Sequence, residues 1–281
     1  MSANQFGLHF DGEKFDRVFL EAETRGGPQG HIATVSDVID ARLHTNLGHD
    51  FWERFCTTLS AEYVGLSRAG NPIVIVAHGV GPLATYAGIL ETYSHDRTCT
   101  HGRTYGGRIS AADFHRLENG FYGKVTVLDL QAVWRRSDLA FSGTPLTHAE
   151  IMAEPLWQTR LGPHAEPYLL HHKNLVREWR RQRLQPTMYE ERLVGMQDAM
   201  GCYYASRELL DRALRVVPNT AVAHLLTVSG LAEHQLGRGP GAFHREALAC
   251  VVHAWPWNNG TRLMSVKPTG KLRDWIRWLG K

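Results

Sequence analysis

The side chains best suited to chemistry crowd between residues 78 and 129. His95, Asp96, Cys99 and His101 fall within one short stretch. Imidazole, carboxylate and thiolate are all zinc ligands, and these spacings would let a single loop wrap one ion. Zinc is therefore the cofactor to expect if there is one. No established zinc spacing is matched, and a polar loop with Cys99 half buried is the competing reading. The chain holds sixteen histidines in 281 residues, an unusual store of the side chain that moves protons near neutral pH.

A second group of candidates lies at His78-Gly79-Val80-Gly81-Pro82. Glycines at 79 and 81 let the backbone turn sharply and point N–H groups at the start of a following helix, where the helix dipole favours an anion. His78 would then move protons, and Asp129, at the end of another strand, would orient it. Arg103 and Arg108, beside Gly106-Gly107, would add charged donors to an anionic ligand. The loop lacks the G-x-G-x-x-G spacing and the Walker lysine, which excludes a P-loop. The stretch VIVAHGVGPLA partly resembles the nucleophile elbow of the α/β-hydrolases, an apolar strand followed by G-x-S-x-G and a helix. Gly79 occupies the nucleophile's place, so the resemblance, about a dozen residues long, implies a non-catalytic relative and not a serine hydrolase.

These candidates need elements to hold them. Ile73–Ala77 is apolar on both faces, as in the central strand of a parallel sheet. Lys124–Leu130 alternates and predicts a second strand, and Phe15–Glu23 a third from its β-favouring residues. Helices are predicted from Ser36, over 50–62 from Phe51, Phe55 and Leu59, and over Leu83–Tyr93. Ser110 with Asp113 opens a helix to Asn119 that Gly120 stops, and Thr147 with Glu150 opens another to about Arg160. Further helices are expected over Glu166–Leu184, Ser206–Val217 and Ala221–Leu236. A β-hairpin is expected from Ala247–Trp255 and Thr261–Lys267 around Asn259-Gly260. Leu272, Trp275, Ile276 and Leu279 make an amphipathic helix of residues 271–279.

The fold expected is thus mixed α/β, with a small mostly parallel sheet and flanking helices in residues 1–145. Residues 146–281 would form a mainly helical second half with one β-hairpin, packed on the first as one compact unit.

Composition narrows the function classes. An apolar share of 43%, a charged share of 21% and a net charge of +3 exclude general disorder. No apolar run reaches membrane-spanning length, and the first residues lack the apolar core of a secretory signal, so a cytoplasmic protein is expected. Cys56, Cys99, Cys202 and Cys250 form no C-x-x-C pair and read as reduced thiols. Residues 151–281 carry 18 basic against 11 acidic side chains, and residues 1–150 carry 13 against 17.

Three functions follow. The favoured one is a soluble binding or assembly protein without recognisable catalytic machinery, docking a second copy or a protein partner through the 271–279 helix. The alternative is a hydrolase- or transferase-type enzyme, possible metal dependence included, using the 78–82 loop to hold an anion. The third is a polyanion binder using Arg177, Arg180, Arg181 and Arg183. Nucleic acid is the least expected partner, because such a run usually forms a solvated helix face.

Overall fold

The computed structural model describes residues 4–10, 15–45, 49–94, 107–131, 144–182, 199–202, 220–228, 251–254 and 262–268. In chain order the first part runs β1 (Asn4–Phe10), α1 (Phe15–Gly26), β2 (His31–Ile32), α2 (Val35–Leu43) and the short α3 (Asp50–Glu53). It continues with β3 (Cys56–Leu66), β4 (Pro72–His78), α4 (Tyr86–Ser94), β5 (Gly107–Ser110), α5 (Ala111–Glu118) and β6 (Val125–Asp129). The rest is β7 (Thr144–Thr147), α6 (His148–Ala153), α7 (Pro155–Leu161), α8 (Ala165–Gln182), β8 (Ala199–Cys202), β9 (Thr220–Val228), β10 (Val251–Ala254) and β11 (Arg262–Pro268).

Nine of these strands form one sheet whose main path is β1-β11-β3-β4-β6, with β9 also on β3 and carrying β5 and β10. Every ladder in it is antiparallel except a single parallel contact, Leu263 with Thr57. This overturns the expected small, mostly parallel sheet. A short turn joins β3 to β4, closed by Ser67 N–H on Asn71 O and Gly70 N–H on Ser67 O. A connection that tight can only return the chain antiparallel.

The mainly helical second half is also corrected. Ala221–Val228, expected in a helix, lies in β9 between β3 and β5. Among the described residues, β10 and β11 do not pair with each other as the expected hairpin requires. β10 pairs with β9, whereas β11 pairs with β1, β2 and β3. The two are strands of one sheet with different neighbours.

Both faces of the sheet are covered, which explains its near-continuous apolar strands. On one face Val64, Val74, Val76, Val222 and Leu226 pack with Val38, Ile39, Trp52, Leu156, Trp157 and Tyr168. On the other, Tyr63, Ile75, Ala77, Ala223 and Leu225 pack with Val18, Phe19, Ile89, Phe114 and Leu117. The stretch expected as a strand at Phe15–Glu23 is α1. Its buried Phe15, Val18, Phe19 and Ala22 recur at i, i+3, i+4 and i+7, a helical stripe. Conversely, the helix expected over 50–62 is confined to α3, and the chain is extended from Cys56.

Local signals hold where they are hydrogen-bonding signals. Ser110 Oγ accepts from Asp113 N–H, and Thr147 with Glu150 forms a complete capping box. The helix from Thr147 breaks at Glu154, and Pro155 begins α7, as its fixed φ and missing N–H suit a first turn. After α5, Gly120 at φ 70° donates to Leu117 O, and Phe121 N–H donates to Arg116 O. That is a Schellman end, and its usual side-chain contact is made here by Phe121 under the Arg116 guanidinium at 3.9 Å.

Candidate functional site

His78 ends β4 opposite Ser60 of β3. Its Nε2 lies 2.9 Å from the Thr159 carbonyl oxygen on α7, and its Nδ1 lies 2.7 Å from Ser60 Oγ. A carbonyl oxygen only accepts, so Nε2 carries the hydrogen. In the neutral ring Nδ1 is then bare, and Ser60 donates its hydroxyl hydrogen to it. Ser60 Oγ in turn accepts from Val35 N–H at 2.9 Å, at the start of α2. One chain of hydrogen bonds thus joins α2, β3, β4 and α7.

Behind it lies a buried ion pair. Arg160 Nη2 donates to Glu62 Oε2 at 2.7 Å and Arg160 Nε to Glu62 Oε1, with both side chains 1% exposed. The guanidinium also lies 4.7 Å from the Trp157 ring centroid. Buried His224 faces Glu62 across the β3–β9 ladder.

Burial holds the His78 imidazole below its ordinary value of 6.5, against the opposing pull of the Thr159 carbonyl and the charges of Glu62 and Asp37. Nearby on α2, burial pushes Asp37 up, but hydrogen bonds from His31 and Thr34 outweigh it and leave the carboxyl below its ordinary range. The same hydrogen bond, 3.0 Å long, raises His31.

The glycine loop follows His78. Gly79 and Gly81 have φ of 69° and 94°. At Gly81 a Cβ would meet Leu117 Cδ2 at 2.9 Å and Tyr63 Oη at 3.1 Å, so both conformation and space call for glycine. Gly79 N–H donates to Leu59 O at 2.8 Å, and Leu83 N–H donates to Tyr63 Oη at 3.0 Å. A 3-10 turn, Pro82–Ala84, separates the loop from α4, which starts at Tyr86. The two amides named are therefore committed to the scaffold.

Asp129 and Arg108 are not gathered around His78. Because β4 and β6 are antiparallel, Asp129 pairs with Ile73, five residues or about 16 Å along β4 from His78. There its Oδ1 accepts from Gln131 N–H at 2.8 Å. Arg108 pairs with Val222, which stands in the row of Val64 and Val74. That row is four residues, about 13 Å, along β4 from His78, and Arg108 is also three strand spacings away, about 14 Å. Arg103, the set His95, Asp96, Cys99 and His101, and the 271–279 helix lie outside the described residues. Among the described residues, no group of three or more His, Cys, Asp or Glu side chains could hold a metal ion. Nor is any described helix long and apolar enough to cross a membrane. The Cys56 thiol is buried, with Sγ 3.6 Å from Thr57 O.

Sequence reasoning found His78 and missed Ser60, Glu62, Thr159 and Arg160. One signal was present: polar Ser60 and Glu62 interrupt an otherwise apolar stretch, which in a strand buried on both faces demands partners.

No protein-family model matches the sequence, and no curated protein does. Among solved structures, one described as "Accommodation of massive sequence variation in Nanoarchaeota by the C-type lectin fold" is similar to this chain, with a TM-score of 0.58. The match covers 94% of this chain and 98% of that one at 16% sequence identity. At that identity the likeness speaks for the fold alone, and the fold is C-type lectin-like.

Proposed function

We propose that this chain is a binding protein in which a C-type lectin-like sheet serves as a rigid frame and no bond is made or broken. The observation that carries this reading is how its buried reactive groups are used. Glu62 is held by Arg160, and His78 is held between Ser60 and Thr159. The likeness to a fold described as accommodating massive sequence variation supports it further.

Among the described residues, the Ser60–His78 hydrogen bond is the arrangement that favours a hydrolase instead. Ser60 is 0% exposed and accepts from Val35 N–H, so a substrate carbonyl has no approach to its oxygen. Geometry weighs against the enzyme.

The test is to offer fluorescently labelled full chain to arrays of immobilised glycans and of folded proteins, and to follow the mass of each captured probe. Saturable capture of a discrete set at unchanged mass is expected. A probe whose mass changes on exposure overturns the non-catalytic reading. No saturable capture on either array at about 100 μM overturns the binding reading.

A further inference from the structure

β6 ends the main path of the nine-stranded sheet and, among the described residues, pairs with β4 alone. Its ladder runs through five rungs without a register shift, from Val125 with Ala77 to Asp129 with Ile73. Ile73–Ala77 of β4 are all buried, yet no residue of β6 is. Val127, opposite the fully buried Ile75, is 41% exposed. α5 lies over one face of β6 and α7 over the other, so a partner meets this strand edge-on. An outer edge offers main-chain N–H and C=O groups to a further strand, and proteins commonly blunt it with proline, a bulge or an inward charge. Val125-Thr126-Val127-Leu128 carries none of these, and three of its four residues are β-branched.

Exposed charges of opposite sign bracket this uncharged run. Lys124 precedes it and Asp129 ends it, about 17 Å apart along the strand. That order complements itself in one direction only. Laid antiparallel on a second copy, each Lys124 end falls beside the other's Asp129 end; laid parallel, like charges meet. A two-fold axis normal to the sheet keeps each face of the joined sheet continuous. Centred at Val127, it sets Val127 opposite the partner's Val127, Thr126 opposite the partner's Leu128 and Val125 opposite the partner's Asp129. A β-branched pair then holds the centre, and the charges sit at the rim.

We propose that β6 is a self-pairing edge, through which two copies of this chain join antiparallel into one continuous sheet. Five rungs bury less surface than a permanent interface needs. The dimer is therefore reversible, with a dissociation constant on the order of 10–100 μM. Its rim charges are exposed, so added salt weakens it.

The experiment is sedimentation equilibrium of the full chain from about 5 to about 500 μM, at about 50 mM salt where exposed charges are little screened. A monomer–dimer equilibrium is expected, weakened at least about tenfold in Val127→Lys, which sets two like charges face to face at the centre. Asp129→Lys is expected to weaken it similarly, and the charge swap Lys124→Asp/Asp129→Lys to restore it to within about threefold of wild type. A chain that stays monomeric throughout overturns the proposal. So does a dimer that survives Val127→Lys, or one that Asp129→Lys leaves unchanged or the swap fails to restore. Growth beyond the dimer overturns the two-fold pairing, since a closed isologous contact stops at two. Should Val127→Lys not fold, the swap decides, because it changes only exposed side chains.

Discussion

Glu62 and Arg160, 98 residues apart in the chain, meet in a two-point ion pair sealed between β3 and α7. A pair so buried gains little over an apolar pair of the same volume, but losing one member strands the other charge. Arg160→Leu is therefore expected to cost about 3–5 kcal/mol. The double variant Glu62→Leu/Arg160→Leu should recover a large part of that loss. Urea unfolding of the two variants checks this, and equal losses would assign the penalty to packing and not to charge.

His31 and Asp37 give a dependence on pH of their own. The hydrogen bond to Asp37 raises His31, so its contribution is fully present below the unfolded value of 6.5 and disappears as pH rises through the raised folded value. The thermal midpoint of wild type should exceed that of His31→Gln on the acid side of neutrality. The gap should close on the alkaline side. His78, held low, has the opposite sign: its contribution is present above 6.5 and lost as pH falls through the folded value. Melting curves of His31→Gln and His78→Gln across this range separate the two histidines.

Arg42 is 0% exposed and donates from Nη1 to Tyr168 Oη at 3.0 Å, from Nε to Phe51 O and from Nη2 to Arg54 O. Tyr168→Phe keeps the ring stacked on Trp52 and removes one acceptor from a charged donor. A loss of about 1.5–3 kcal/mol is expected in chemical denaturation. A loss under about 0.5 kcal/mol would show that the tyrosine contributes through its ring alone.

Gly120 places a left-handed residue at the end of α5. Gly120→Ala should cost about 1–2 kcal/mol without altering the core, since the penalty sits in the backbone. Thermal unfolding measures it. A neutral result would mean that the Schellman end is remade with another residue in that conformation.

What was legible in the sequence was local. Ser110, Thr147 and Gly120 announce helix ends because each acts within three or four residues of itself. Ile73–Ala77 announces a strand, but two-sided burial does not tell parallel from antiparallel, and that one choice moved Asp129 to the far end of the sheet from His78. Ala221–Val228 shows the ambiguity at its plainest, for a short run buried all round fits a helix or a strand equally. Phe51, Phe55 and Leu59 keep a helical spacing by coincidence while their backbone changes from α3 to β3. As for the site, His78 stands out beside its glycines. Its partners Ser60 and Thr159 lie 18 and 81 residues away, and only the folded chain brings them together.

The ladder between β1 and β11 carries a consequence for force. Its register runs from Asn4 with Pro268 to Phe10 with Arg262, so the outer ends of the two strands are paired neighbours. Tension applied between Asn4 and Pro268 enters at that first pair and peels the ladder open one rung at a time. Gripped instead at Phe10 and Pro268, the same ladder is loaded in shear and all its rungs resist together. That strand pair is therefore mechanically soft when pulled apart at Asn4 and Pro268 and stiff when pulled along its length.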